Sequence, residues 1–122
     1  MAGDVSAMLL GKWQYVSVQT KEGTQPIHEG DYVEFREAEV LWRWMGTDHR
    51  HRYTVQRVDG RNQLTGYHLS DLAVPDILGI FTIQDGDLIV CDRAAALGHP
   101  GEFSVEEGTL LRLRREKPGR AE

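Results

Sequence analysis

Short runs of alternating apolar and polar residues, separated by turns containing Gly, Asp and Asn, make up most of this chain of 122 residues. About eight such runs of five to nine residues follow one another from Lys12 onward. Alternation with a period of two is typical of strands with one buried face, and regular spacing of short strands is typical of all-β sandwiches and barrels. A helical pattern is confined to residues 4 to 10, where Asp4 or Ser6 provides the cap of a short turn. We therefore expect an all-β fold.

Two dipeptides predict tight turns between these runs. Asp59–Gly60 and Asp85–Gly86 each combine residues that tolerate a positive φ, as two-residue hairpins require. The longest irregular segment covers residues 94 to 104, and a second one, residues 70 to 79, is expected to hold a helical turn before Pro75. The sequence contains no internal repeat and no linker, so we expect residues 1–122 to form one domain.

Composition and charge exclude several classes of protein. Hydrophobic residues make up 40% of the chain and charged residues 27%, which is ordinary for a globular protein. The apolar stretch Leu78–Ile83 is far too short for a membrane span, and the N-terminus lacks the basic region of a secretory signal. A net charge of −5 and a pI of about 5.5 disfavour binding to nucleic acid. We expect neither a nucleic-acid partner nor a membrane partner.

The single cysteine, Cys91, rules out an intramolecular disulfide and agrees with a reducing compartment, so we expect the protein to be cytoplasmic. One basic cluster lies near the C-terminus at Arg112, Arg114, Arg115 and Lys117. We interpret it as the solvated edge and tail of the last strand.

The stretch WRWMGTDHRHRY, residues 42–53, places aromatic and imidazole rings on one face of two consecutive strands. Successive side chains of a strand point to opposite faces, so residues two apart share a face. The arginines that alternate with these rings are expected to face the solvent. We therefore expect these side chains to point into the interior: Trp42, Trp44, His49, His51 and Tyr53.

Several motifs, in order, resemble a family of small bacterial lipocalin-like (calycin-type) domains whose members are mostly uncharacterised. The first strand opens with LLGKW (residues 9–13), which carries the Leu-x-Gly-x-Trp pattern of that family. Later come GIFTIQDGDLIVC (79–91), HPGEF (99–103) and LLRLRRE (110–116), which match its closing motifs. The resemblance covers nearly the whole chain. It implies a single up-and-down antiparallel β-barrel of about eight strands, a size that can hold one small ligand.

The resemblance also implies roles for individual residues. In lipocalins the tryptophan of the first motif packs at the closed end of the barrel under an arginine of the last strand. Trp13 takes the first part and Arg112 or Arg114 the second, while Cys91 is expected to be a buried small hydrophobe. The chain departs from the family in its central strands, where aliphatic or threonine-like residues are replaced by the two tryptophans and two histidines of residues 42–51. This departure indicates a specialised pocket.

Three functional hypotheses follow, and the sequence leaves open whether the protein is an enzyme. In the first, the barrel binds a small, largely apolar, aromatic or unsaturated molecule, with contacts from Trp42, Trp44, Phe35, Val55 and Tyr67. In the second it is a cofactor-independent isomerase, cyclase or dehydratase that uses His51 or His49 as general acid or base, with Tyr53 as hydrogen-bond donor. In the third the barrel is solid and serves as a protein-interaction module. Oligomeric state is open, and exposed strand edges permit a homodimer.

Metal and cofactor chemistry have weaker support. His49 and His51 would hold their Cβ atoms roughly 6.5–7 Å apart, which permits chelation of one ion. A third ligand would have to come from His68, His99, Asp48 or Glu102, and no spacing requires it, so we expect no metal. The chain has no nucleophile elbow and no phosphate-binding loop, so we expect no cofactor. We interpret three further carboxylates as loop caps and solvent-facing charges: Asp71, Asp76 and Asp92.

Overall fold

A computed structural model describes residues 7–69 and 71–116, with the backbone alone for residues 71–73. Its secondary structure is almost entirely β, as the alternating pattern predicts. The strands are β1 (Gly11–Thr20), β2 (Gly23–Thr24), β3 (Tyr32–Phe35), β4 (Glu39–Trp44), β5 (Thr47–Val58), β6 (Arg61–His68), β7 (Asp71–Gln84), β8 (Asp87–Ala94) and β9 (Thr109–Arg115). Residues 7 and 8 form a 3-10 turn, and the rest of the predicted N-terminal turn, residues 4–6, lies outside the described residues. Among the described residues no helix has the length and apolarity needed to cross a membrane.

The strands form one antiparallel sheet that closes on itself. Each strand from β3 to β8 pairs with the next one along the chain, β1 pairs with β3, and β9 returns to pair with β1. Eight strands therefore make a closed barrel, and the short β2 extends the hairpin that follows β1. The predicted barrel of about eight antiparallel strands is confirmed.

Three hairpins of the barrel use two-residue turns with positive φ at both positions. The φ values are 52° and 79° at Asp59–Gly60, 55° and 82° at Asp85–Gly86, and 53° and 79° at Met45–Gly46. Such turns match the right-handed twist of the strands that they join. The first two were predicted from their sequences, and the third joins the two strands of the central aromatic stretch.

The expectation of a helical turn before Pro75 is wrong. Residues 71–84 form one continuous strand, in which Pro75 pairs with Tyr67. The pairing with β6 shifts register on both sides of Tyr67. Proline has no backbone N–H to donate to a regular ladder, and the irregular pairing accommodates it.

One end of the barrel is closed by packed side chains. Trp13 is almost fully buried, and its indole Nε1 donates a hydrogen bond of 2.8 Å to the Leu9 carbonyl. The guanidinium of Arg115 lies 4.2 Å from the centre of the Trp13 ring and donates to the carbonyl oxygens of Leu10 and Met8. The core of the barrel continues from this end through Phe35, Phe81, Leu88 and Leu113.

The arginine over Trp13 is therefore Arg115, and the expectation of Arg112 or Arg114 is wrong. Leu113 is buried and Arg115 has the same parity on β9, whereas Arg112 and Arg114 point outward. These two bind Asp87 instead, with Nε atoms 2.7 and 3.0 Å from its carboxylate oxygens. Hydrogen bonds from the two guanidinium groups, first Arg114 and then Arg112, lower the pKa of Asp87 to about 2.

Candidate ligand-binding site

The barrel encloses a cavity of about 590 Å³. That volume lies within the range of roughly 300–1,000 Å³ typical of small-molecule sites. Its deepest lining residues, such as Val33 and Leu113, lie next to the Trp13 end, and its outermost are Thr20, Glu22 and Met45. Because Met45 is 53% exposed, the cavity reaches the solvent at the end of the barrel opposite Trp13.

Aromatic rings form one wall of the cavity. Trp42 and Trp44 on β4 are half-buried and line it, as does Tyr15 on β1. The rings of Tyr15 and Trp44 meet edge to face, with centroids 5.2 Å apart and planes at 61°. This geometry is a favourable one for aromatic pairs. Because both tryptophans line the cavity, they offer aromatic surface to a ligand inside it.

Five of the eight residues predicted for the site line the cavity: Phe35, Trp42, Trp44, His51 and Tyr53. Three lie outside its lining. His49 is exposed and stacks on Trp42 with centroids 5.2 Å apart, so it stands beside the turn at the rim. Val55 is partly buried and packs against the hydrophobic core. Tyr67 faces away because its neighbour Gly66 occupies the inward position of β6.

His51 is the buried polar group of β5. It is only 9% exposed, and its Nε2 lies 2.8 Å from Oδ2 of Asp76, a residue expected from the sequence to be a solvent charge. A carboxylate can only accept, so Nε2 carries a proton and donates it to Asp76. Within the described part of the chain, Nδ1 is buried without a hydrogen-bond partner. The ring also contacts Trp42, with centroids 4.9 Å apart.

Tyr53 contributes its ring to the cavity, while its hydroxyl is engaged elsewhere. The hydroxyl donates to the backbone carbonyl of Arg36, and the ring packs edge to face on Phe35 with centroids 5.3 Å apart. Burial raises the pKa of Tyr53, so the phenol stays protonated. The arrangement makes Tyr53 a packing residue whose donor is already satisfied.

Asp92 is a cavity residue that the sequence interpretation assigned to the solvent. It lies on β8, paired with Gly79 on one side and Thr109 on the other, and it lines the cavity together with Thr109. No side-chain hydrogen bond to its carboxyl is present among the described residues. Burial in this apolar wall raises the pKa of Asp92 to about 6. Alternation along DLIVCDR was the available signal, since Leu88 and Val90 share its parity and are both buried.

Tyr15 was also missed, although it alternates with Trp13 on β1. Burial, followed by the negative charges of Asp31 and Asp92, raises the pKa of its phenol, which therefore remains a neutral hydrogen-bonding group. Asp31 accepts hydrogen bonds from the backbone N–H groups of Met45 and Gly46, at 2.9 and 3.3 Å. It thereby ties the turn at the rim to the segment that precedes β3.

In the residues that the structure describes, no three His, Cys, Asp or Glu side chains stand close enough together to hold a metal ion. Comparison of the chain with protein-family models, curated proteins and solved structures gave no significant match. The barrel is compatible with a lipocalin-like fold, and membership of the bacterial family stays a prediction from the sequence motifs.

Proposed function

We propose that the protein binds a small, largely apolar molecule with an aromatic or unsaturated framework inside its barrel. The observation that carries this proposal is the 590 Å³ cavity with Tyr15, Trp42 and Trp44 in its wall. Apolar burial supplies affinity in proportion to the area removed from water, at about 25 cal/mol per Å² before the costs of association. The few polar groups of the cavity, led by His51 and Asp92, orient the ligand. A cavity of this size argues against a solid barrel that acts only through its surface.

Gly66 offers a direct test, because it lines the cavity and carries no side chain. A Cβ atom at this position would lie 3.6 Å from the Ile77 Cβ and 3.9 Å from the Arg52 carbonyl oxygen, which are ordinary contacts. Gly66→Ala is therefore the matched control, whereas the longer side chain of Gly66→Leu has to enter the cavity. The probe is Nile red, an uncharged dye whose fluorescence rises in apolar surroundings.

We expect saturable binding of Nile red to the wild type and to Gly66→Ala, with quenching of tryptophan fluorescence. In Gly66→Leu the affinity should fall at least tenfold while the circular dichroism spectrum stays that of the wild type. Equal affinity in Gly66→Ala and Gly66→Leu would mean that the dye binds outside the cavity. No binding to the wild type would refute the proposal.

A second candidate function, cofactor-independent acid–base catalysis, is favoured by the environment of His51. Asp76 fixes its tautomer, and Nδ1 on the buried side has no partner in the described residues. A buried base of this kind suits proton transfer on an enclosed substrate. Catalysis would be established if the wild type converts a bound compound and His51→Gln still binds that compound but no longer converts it. Binding without conversion would leave a binding protein.

We further propose that residues 1–122 act as one lipocalin-like domain in the cytoplasm. The support is the continuous barrel and a cysteine, Cys91, that is free and buried. A disulfide-free chain suits a reducing compartment. Sedimentation analysis of the purified protein would test whether the chain forms a homodimer.

A further inference from the structure

The described lining of the cavity contains carboxylates but no lysine or arginine. Glu22 at the rim and Asp92 inside it are the carboxylates of the lining. Of the chain's 14 lysine and arginine residues, none belongs to the described lining, and His51 is its one basic side chain. A ligand with a carboxylate or phosphate would meet like charge there, with no cation to neutralise it. The wall therefore selects for neutral or positively charged molecules.

Asp92 narrows the class of ligand further. An ionised carboxylate inside an apolar wall loses hydration that nothing in the described structure replaces with a hydrogen bond. Its neighbours across the sheet are Gly79 and Thr109, and neither is a cation. A ligand that brings a positive charge into the cavity would supply the missing partner.

We propose that the ligand is an apolar amine, whose protonated nitrogen pairs with the Asp92 carboxylate while its aromatic or unsaturated body packs against Trp42 and Trp44. This inference rests on the proposed binding function and narrows its ligand class. The aromatic wall supports it independently of Asp92, because the faces of tryptophan and tyrosine rings attract cations. The edge-to-face pair of Tyr15 and Trp44 places such faces beside the rim.

The proton affinity of Asp92 makes amine binding depend on pH. With a pKa of about 6, Asp92 is mostly ionised at pH 7 and mostly protonated at pH 5, so the affinity for an amine should fall about tenfold between them. The other ionisable groups of the described cavity lining are Tyr15 on β1, His51 and Tyr53 on β5, and Glu22 at the rim. The neighbouring strands β7 and β9 contribute Ile77, Gly79, Thr109 and Leu111, which do not titrate.

The experiment displaces Nile red with three compounds of one shape: 2-naphthylethylamine, 2-naphthylethanol and 2-naphthylacetate. In the wild type at pH 7 we expect the amine to bind at least tenfold more tightly than the alcohol, and the acid to bind most weakly. In Asp92→Asn the preference for the amine over the alcohol should fall at least fivefold, which leaves only the part that the aromatic rings supply. Glu29→Gln removes an exposed carboxylate that lies outside the cavity lining, so it is the matched control and should keep the preference for the amine.

The outcomes separate this inference from the proposed function. Equal binding of amine and alcohol to the wild type overturns the amine inference and leaves apolar binding intact. Failure of Nile red to bind at all overturns both. The pH profile is measured on the wild type and repeated on Asp92→Asn. A tenfold fall for the amine that disappears in Asp92→Asn supports Asp92, whereas a fall that persists there contradicts its role.

Discussion

Replacing Asp92 by asparagine should stabilise the folded protein at neutral pH. The pKa of Asp92 rises from the ordinary 3.8 to about 6 on folding, because burial disfavours the ionised form. Each pKa unit corresponds to roughly 1.4 kcal/mol, so this difference in pKa corresponds to about 3 kcal/mol. Asparagine has nearly the same shape and no charge. At pH 7.5 the free energy of unfolding of Asp92→Asn should therefore exceed that of the wild type by most of this amount.

The sign of the pH dependence follows from the raised pKa. Between about pH 4 and pH 6 the folded protein holds a proton on Asp92 that the unfolded chain has released. Stability therefore decreases as the pH rises through this window, and the penalty is complete above pH 6. Below pH 4 the carboxyl is neutral in both states, and the advantage of Asp92→Asn should vanish.

Thermal unfolding followed by circular dichroism measures this difference. For a chain of 122 residues, about 3 kcal/mol corresponds to a rise in Tm of roughly 10 °C. The comparison is made at pH 4 and pH 7.5 with the control Asp85→Asn, which changes an exposed turn residue whose positive φ asparagine tolerates. Equal Tm values for wild type and Asp92→Asn at pH 7.5, or the same difference at both pH values, would show that Asp92 is hydrated or paired and refute the reasoning.

Three other substitutions or treatments test the frame of the barrel. Asp87→Asn should lower Tm at pH 7, because Arg112 and Arg114 lose their shared carboxylate. The pKa of Asp87 in the folded protein, about 2, lies below the ordinary 3.8, so this stabilisation is lost as the pH falls toward 2. The melting curves of the wild type and Asp87→Asn should then converge. Trp13→Ala should cost about 3–5 kcal/mol in a urea titration, as expected for an aromatic side chain removed from a core, and a loss below 1 kcal/mol would contradict its closing role. Cys91 is fully buried and burial raises the pKa of its thiol, so a thiol reagent such as dithionitrobenzoate should react slowly with the folded protein and rapidly in denaturant.

The features that the sequence predicted correctly are local ones. Strand alternation and the turns Asp59–Gly60 and Asp85–Gly86 depend on neighbouring residues, and the structure contains them. The arginine that packs on Trp13 was harder to predict. Leu110 and Leu111 are both apolar, so the sequence does not show which residues of β9 face the interior. Closure of the barrel decides it, since Trp13 pairs with Arg115.

The interior of the cavity shows where sequence reasoning failed. Asp92 has the inward parity of its strand, but a charge was assumed to seek solvent, and that assumption overrode the alternation. The contact between His51 and Asp76 joins residues 25 positions apart on strands that are not neighbours in the sheet. It depends on the irregular pairing around Tyr67, which no local pattern specifies.

The two ends of the barrel differ in what they do for stability. At the closed end, the Trp13 indole donates to the Leu9 carbonyl, and Arg115 covers the Trp13 ring while it donates to the carbonyls of Met8 and Leu10. The other end contains the cavity volume and a partly buried carboxyl, both of which weaken the fold. A ligand that fills the volume and pairs with Asp92 would reverse both effects. At a concentration of 100 times its Kd such a ligand stabilises the folded state by about 2.7 kcal/mol, close to the penalty attributed to the carboxyl. An amine that raises the Tm of the wild type more than that of Asp92→Asn would link the cavity, its charge and its ligand in a single measurement.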